Sequence, residues 1–212
     1  ECVVAFGREF LPENCENFSY RISNDFKVKI NALKARLFDN EGFNAINETK
    51  KFIKWAENYN PDVLWLHNLH GYYINIDLLF KWIKSRPEMK VKWTLHDCWA
   101  FTGHCAFFSY IKCDKWIKEC GDCPQTKSYP SIFLFDRSRS NFFRKKACFT
   151  NVKNMTLITP SKWLSDLVKR SFLKDYPVEV NYNKIDRSVF KPTEGDFRAK
   201  YNLFDKTIVL GV

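Results

Sequence analysis

Three of the four histidines come at or just after two short apolar runs that are typical of buried strands. His67 closes the run 62–67 and His70 lies three residues later, whereas His96 closes the run 91–96 and Asp97 follows it directly. Ligands of an open parallel sheet bind outside the carboxyl ends of its strands. An imidazole there can position or polarise a hydroxyl group. We therefore predict a site with His96 in it and Asp97 beside it, the carboxylate either orienting the imidazole or binding a substrate hydroxyl.

Other roles remain open for these histidines. A histidine at a strand end can equally be a hydrogen-bonded core residue. His67 and His70 could also bind zinc together, although no pattern of carboxylates accompanies them.

Four cysteines follow in the spacing C-x7-C-x6-C-x2-C: Cys105, Cys113, Cys120 and Cys123. Four thiolates can surround one Zn²⁺ tetrahedrally at about 2.3 Å, which leaves no open coordination position. The spacing therefore predicts a structural zinc site that fixes a long loop, with Cys98 as a substitute ligand. Reduced buried thiols or a pair of disulfides are the alternatives.

The apolar patterns around these residues alternate between strand and helix. Strands are predicted at 2–6, 62–67, 91–96, 155–159, 178–182 and 207–212, with the first one buried and the second buried on both faces. Helices are predicted to begin near residues 44, 76, 138 and 162. Two of these helices have a predicted buried stripe: Ile76, Leu79, Phe80 and Ile83 in one, and Trp163, Leu164, Leu167, Val168 and Phe172 in the other, for which Ser161 is the predicted cap. Residues 9–43 show no clear periodicity and are predicted to be loops and short helices. Strands that alternate with helices predict an α/β, Rossmann-like open parallel sheet with helices on both faces. We place one Rossmann-like domain at 1–186, with a cysteine-rich insertion at 98–130, and a linker plus the first strand of another domain at 187–212.

The formal net charge of +10 favours an anionic partner such as nucleic acid, a phospholipid surface or a phosphate-bearing substrate. The basic residues are dispersed, which makes nucleic acid the least favoured of the three. One short basic cluster is interpreted as a solvated helix surface: Arg137, Arg139, Arg144, Lys145 and Lys146. No apolar stretch approaches the ~20 residues of a membrane span, and the first residues lack a signal-peptide pattern, so we expect a cytoplasmic protein.

Several motifs together resemble group 1 (family 4) glycosyltransferases of bacterial polysaccharide synthesis, particularly the colanic-acid type. The matching segments are 60–73, 93–105, 120–125, 129–130, 136–138, 159–164, 189–192 and 208–212. The resemblance implies a retaining GT-B enzyme with two Rossmann-like domains, of which this chain is the N-terminal, acceptor-side one. It further implies that a strand precedes Glu1, that the donor domain follows Val212, and that the chain alone is inactive.

The resemblance also assigns roles. It places His96 on the acceptor side of the catalytic cleft, and Thr159 and Ser161 near the donor and the domain junction. We predict that His96 and Asp97 are catalytic and that substrate is bound by His67, Asn68, His70, Gly71, Thr159 and Ser161. Trp99, Tyr110 and Trp116 could stack on sugar faces, although such aromatic residues more often belong to the core. The substrates would be a nucleotide-sugar donor and a glycan or lipid-linked acceptor, with no catalytic metal. The positive charge fits peripheral contact with the inner face of the cell membrane. Two rival hypotheses are a non-enzymatic zinc-containing module that binds nucleic acid or acidic glycans, and a degenerate fragment that binds acceptor without turnover.

Overall fold

Four parallel strands form the central sheet. The structure, a computed structural model, describes residues 2–8, 18–193 and 195–209. The sheet has the order β3-β4-β5-β6, and β1 and β2 form a separate parallel pair. The strands are β1 Val4–Phe6, β2 Ser19–Arg21, β3 Val63–His67, β4 Lys90–Thr94, β5 Met155–Thr159 and β6 Val178–Val180. The helices are α1 Asp25–Phe38, α2 Ile46–Tyr59, α3 Ile76–Lys84, α4 Ser138–Phe149, α5 Lys162–Val168 and α6 Phe197–Lys200. The predicted α/β fold with a parallel sheet flanked by helices is confirmed.

The central strands and the helices between them carry the core. Trp93 on β4 packs against Phe80 of α3 and Phe149 of α4, with ring centroids 5.4 and 4.7 Å apart. Helix α3 begins at Asn75, whose side chain accepts a hydrogen bond from the Leu78 N–H. All four apolar positions that predicted α3 are buried: Ile76, Leu79, Phe80 and Ile83. The helix prediction from 3.6-residue spacing is therefore confirmed here.

Strand β3 corrects one expectation. Its apolar run predicted burial on both faces, but Val63 and Trp65 are 49% and 52% exposed. Within the described residues, β3 pairs with β4 alone and is the edge of the four-stranded sheet. Strand β1, predicted as buried, likewise leaves Val4 exposed. An apolar run predicts that a strand forms, whereas the position of that strand in the sheet determines how far it is buried.

Helix α1 is the largest element that the sequence did not predict. Its N-cap, Asn24, accepts a hydrogen bond from the Lys27 N–H. Only Val28, Asn31 and Ala35 of its residues are buried. Because so few large apolar residues of α1 face inward, its sequence lacks the apolar stripe by which a core-facing helix is recognised, and the segment was predicted as loops and short helices.

The cysteine excursion, residues 98–130, is packed around aromatic rings. Trp116 is buried and stacks on Phe108 at 4.8 Å and on Phe101 at 5.3 Å. Trp99 is buried too, whereas Tyr110 is 96% exposed. Two of the three aromatic residues that could stack on sugars, Trp99 and Trp116, therefore belong to the core.

The chain divides into two compact units, residues 1–182 and residues 183–212. Within the second unit, α6 is a short polar helix. The predicted strand at 207–212 is wrong for residues 207–209, which adopt no regular structure, and its remainder lies outside the described residues, as does Cys15.

An apolar cavity of about 550 Å³ lies between β1 and β3. Residues of α2 and α3, including Phe52 and Leu79, contribute to its lining, and His67 reaches it from the end of β3. None of the described helices combines the length and the apolar character that a membrane crossing requires.

Candidate functional site

The parallel register of β3 and β4 brings two histidines together. His67 pairs in register with Thr94, and His96 follows two residues beyond the end of β4. The His67 Nδ1 and His96 Nε2 atoms are 3.4 Å apart, and the two rings stack with centroids at 5.7 Å. Burial and the neighbouring His96 both lower the pKa of His67. A neutral imidazole can accept a hydrogen bond from a hydroxyl group at neutral pH.

A second pair lies beside the first. The His70 Nε2 and Asp97 Oδ2 atoms are 2.9 Å apart, and Asp97 Oδ1 accepts a hydrogen bond from the Trp99 N–H at 2.9 Å. Burial raises the pKa of Asp97, but the hydrogen bond and charge of His70 together with the Trp99 N–H outweigh it, so the pKa lies below its usual value. The expectation that Asp97 orients His96 is corrected, because the carboxylate contacts His70.

We call the four side chains His67, His70, His96 and Asp97 the histidine rim. His67 and His96 are exposed, whereas His70 and Asp97 are half-buried. His67 and His96 can contact a ligand directly, and the half-buried pair of His70 and Asp97 supplies an ionised carboxylate. Such an arrangement can accept hydrogen bonds from polyhydroxyl compounds, because imidazole lone pairs and carboxylate oxygens are acceptors.

The loop that connects β3 to α3 holds Asn68 and Gly71. Asn68 has a left-handed conformation (φ 43°), and its carbonyl accepts a hydrogen bond from the Tyr73 hydroxyl at 3.2 Å. A Cβ atom on Gly71 would come within 2.8 Å of the Tyr73 ring, so a larger residue would displace that ring. Burial raises the pKa of Tyr73 to about 12, which keeps its hydroxyl protonated. This loop is therefore held in one conformation beside His70.

Thr159 and Ser161 lie at the end of β5, one strand from β4. The Thr159 hydroxyl donates to the Ser161 carbonyl at 3.2 Å, and the Ser161 Oγ accepts from the Leu164 N–H at 3.2 Å. Ser161 is the N-cap of α5, as predicted. Trp163, which was assigned to the buried face of that helix, is exposed. Substrate binding by Thr159 and Ser161 stays a prediction, because their described hydrogen bonds serve the turn and the helix.

Two of the four predicted zinc ligands are in direct contact. The Cys105 thiol donates a hydrogen bond to Cys123, which raises the pKa of Cys105 and lowers that of Cys123. Cys120 Sγ accepts from the Gly103 N–H at 3.2 Å. Among the residues that the structure describes, no group of three or more His, Cys, Asp or Glu side chains is arranged to hold a metal ion. Structural zinc at these cysteines stays a prediction.

The site contains a buried acid that the sequence did not reveal. Glu41 is buried, and neither of its carboxylate oxygens has a hydrogen-bond partner of good geometry among the described residues. Burial raises its pKa to about 7, against the opposing charges of His70 and Lys145. In the sequence it stands in the polar run Asn40-Glu41-Gly42, which is typical of an exposed turn. Tertiary packing next to His70, Tyr72 and Lys145 buries it.

Lys145 was also unexpected. It belongs to the basic cluster that was interpreted as a solvated surface, yet it is fully buried and donates to the carbonyls of Trp99 (2.9 Å) and Thr102 (3.2 Å). Burial lowers its pKa to about 8. Its neighbours Arg139 and Arg144 form ion pairs with Glu119 and Asp77, respectively. The cluster is therefore largely engaged within the chain.

Comparison with known proteins gives one informative similarity. The chain is 31% identical over 137 residues to "Putative colanic acid biosynthesis glycosyl transferase WcaC" of Escherichia coli (strain K12). The alignment spans 62% of this chain and 33% of the relative, so the chain covers about a third of that protein's length. No protein-family profile and no solved structure matches the chain. The similarity supports the predicted relation to a glycosyltransferase of polysaccharide synthesis.

Proposed function

We propose that the intact protein is a glycosyltransferase that moves a sugar from a nucleotide-sugar donor to a hydroxyl of a glycan or lipid-linked glycan. The observation that carries this proposal is the histidine rim, which gathers two histidine-containing pairs at the carboxyl ends of adjacent parallel strands. The 31% identity to a colanic acid glycosyl transferase supports the same class of reaction. The retaining outcome and the GT-B architecture belong to the proposal.

His96 and Asp97 are proposed to act on the acceptor. The imidazole of His96 accepts a hydrogen bond from the attacking hydroxyl and increases its nucleophilicity. The acceptor oxygen then bonds to the anomeric carbon of the donor sugar, its proton passes to the His96 imidazole, and the bond from that carbon to the phosphate oxygen breaks, so that the nucleotide leaves with the bonding electron pair. Asp97 fixes His70, and the two bind further hydroxyl groups of the acceptor. The donor nucleotide would bind mainly to polypeptide beyond this chain.

The decisive experiment uses the intact gene product and a panel of UDP- and GDP-sugars. We expect one or more donors to be consumed, with release of the free nucleotide, and the 212-residue chain alone to consume none. Absence of turnover by the intact protein with every donor, with and without glycan acceptors, would refute the transferase proposal. Tight, steeply salt-dependent binding of nucleic acid or an acidic glycan would then favour the rival binding module.

Structural zinc at Cys105, Cys113, Cys120 and Cys123 is a separate part of the proposal. The contact between Cys105 and Cys123 supplies two ligands, and zinc would require further thiols to turn toward them. Metal analysis of freshly purified, reduced protein should find one zinc per chain, and Cys123→Ser should lose it. Cys148→Ser, at a buried cysteine outside the excursion, is the matched control. Well under one equivalent in the unmodified protein would remove the zinc claim.

We also propose that the protein works in the cytoplasm, in peripheral contact with the inner face of the cell membrane. The formal charge of +10 supports attraction to anionic lipids. A lipid-linked acceptor would be presented at that same surface.

A further inference from the structure

Helix α1 presents its large apolar side chains to solvent. Phe26, Ile30, Leu33 and Leu37 are spaced four, three and four residues apart, so they share one face of the helix. Phe26 is 72% and Leu33 is 56% exposed. The opposite face, with Val28, Asn31 and Ala35, is the one that the fold buries. The helix therefore contacts its own domain through small or polar residues and exposes its most apolar stripe.

A neighbouring loop extends this apolar surface. The Phe133 N–H donates to the Arg36 carbonyl at 2.7 Å, and Phe38 stacks on Phe135 with ring centroids at 6.3 Å. Phe133, Leu134 and Phe135 are 53% to 63% exposed. We call these three residues and the outward stripe of α1 the apolar ridge. Contiguous exposed apolar surface of this kind marks an interaction site.

Basic side chains flank the ridge on both sides. From helical spacing, Lys29 and Arg36 lie along one side of the stripe and Lys34 lies along the other, and all three are exposed. Lys27 also lies beside it but is paired with Glu48 at 2.6 Å. The one acidic residue of the helix, Asp25, is neutralised by Arg21 at 2.5 Å. The surface therefore combines apolar burial with an excess of positive charge.

We propose that the apolar ridge is a docking surface for anionic lipid bilayers, with α1 lying in the plane of the interface. A helix with apolar residues on one face and Lys or Arg along its flanks buries that face at the level of the lipid headgroups. Each basic residue near an anionic surface adds to the attraction. The cations on both sides of the stripe complement anionic headgroups, whereas a purely apolar protein partner would gain nothing from them.

Docking through α1 would place the candidate site near the bilayer. The Asn31 Nδ2 donates to the Tyr72 carbonyl at 3.1 Å, which ties the buried face of α1 to the loop that carries His70. Asp39, the C-cap of α1, is bonded to His104 at 2.7 Å. That this placement brings the site close to a lipid-linked acceptor rests on the proposed function. The docking surface itself does not rest on it.

Vesicle flotation of the 212-residue chain tests the surface. The chain should bind vesicles made of equal parts phosphatidylglycerol and phosphatidylcholine, and bind phosphatidylcholine vesicles much more weakly. The double variant Phe26→Ser/Leu33→Ser should weaken binding at least tenfold. The matched control is Phe143→Ser/Trp163→Ser, which removes two exposed aromatic rings from α4 and α5 and should bind as the unmodified chain does.

Charge is tested separately. Lys29→Gln/Lys34→Gln/Arg36→Gln should reduce binding on the order of 100-fold at low salt, from about 1 kcal/mol per cation. Lys50→Gln/Lys51→Gln/Lys54→Gln changes the net charge equally on α2 and should have a small effect. Circular dichroism and melting temperatures establish that the variants are folded.

Three results would overturn the proposal: no vesicle binding, equal binding to neutral vesicles, or equal losses in the control variants. Concentration-dependent self-association that Phe26→Ser/Leu33→Ser abolishes, without vesicle binding, would identify the ridge as a protein interface instead. None of these measurements requires a sugar donor, so failure of the docking surface and failure of the transferase proposal are distinguishable.

Discussion

The histidine rim lies at the ends of β3 and β4, and the cysteine excursion follows β4, but the two regions differ in what their side chains can do. In the rim, the imidazoles of His67 and His96 are exposed, and the half-buried carboxylate of Asp97 is ionised. In the excursion, burial raises the pKa of Cys98 to about 12 and of Cys120 to about 11, so these thiols stay protonated at neutral pH. The difference shows that burial and pairing, more than residue type, decide which of two reactive clusters is available to a ligand.

The comparison predicts that the packed aromatic residues of the excursion contribute to the free energy of unfolding. Trp116→Ala should lower the free energy of unfolding by about 3–5 kcal/mol, because it empties the space between Phe101 and Phe108. Urea denaturation measures the loss. Tyr110→Ala, at an exposed aromatic position of the same excursion, should change stability by about 0.5 kcal/mol or less. Equal effects of the two substitutions would show that the excursion is not packed as described.

The rim, in contrast, should carry activity. In the intact protein, His96→Ala should reduce kcat by about 100-fold or more, because the acceptor hydroxyl loses its hydrogen-bond acceptor. Its free energy of unfolding should change little, since His96 is exposed. Steady-state transfer assays and urea denaturation of the same preparation separate the two effects. A large loss of stability with unchanged kcat would reverse the assignment of His96.

The buried carboxyl of Glu41 should make the stability of the chain depend on pH. Its pKa rises from 4.5 to about 7 on folding, so the folded state holds a proton that the unfolded state releases, and this contribution to stability declines as pH rises from 4.5 to about 7. Glu41→Gln removes that decline. The variant should gain on the order of 2–3 kcal/mol over the unmodified chain at pH 8 and almost nothing at pH 4.5.

Urea denaturation at both pH values provides the measurement, with Glu57→Gln on an exposed turn of α2 as the control. If Glu41→Gln destabilises the chain at pH 8, Glu41 forms a favourable ion pair there, for which His70 and Lys145 are the candidates.

The smallest effect concerns the cap of α5. Ser161→Ala should cost about 1 kcal/mol, because the Leu164 N–H loses its acceptor. If Ser161 also binds substrate, the KM of the intact enzyme should rise as well. Ser161→Asp keeps a cap and should restore stability. Restored stability without restored KM would assign a substrate contact to the serine hydroxyl itself.

The predictable parts of the fold are those that local patterns specify. The buried stripe of α3, the Ser161 cap and the bounds of α4 and β5 follow from spacing and capping chemistry, which act within a few residues. The proximity of His67 and His96 also follows, because parallel strands bring their carboxyl ends to one edge. Helix α1 was missed because its apolar residues face outward, where the pattern of a buried helix does not apply.

By itself, the sequence determined the alternation of strands and helices and the identity of the rim histidines, since these depend on periodicity and on strand ends. Tertiary structure alone decided that Asp97 contacts His70, that Glu41 and Lys145 are buried, and that β3 lies at an edge of the four-stranded sheet. The physical reason is that burial and pairing depend on segments far apart in the chain. No pattern within a few neighbouring residues encodes them.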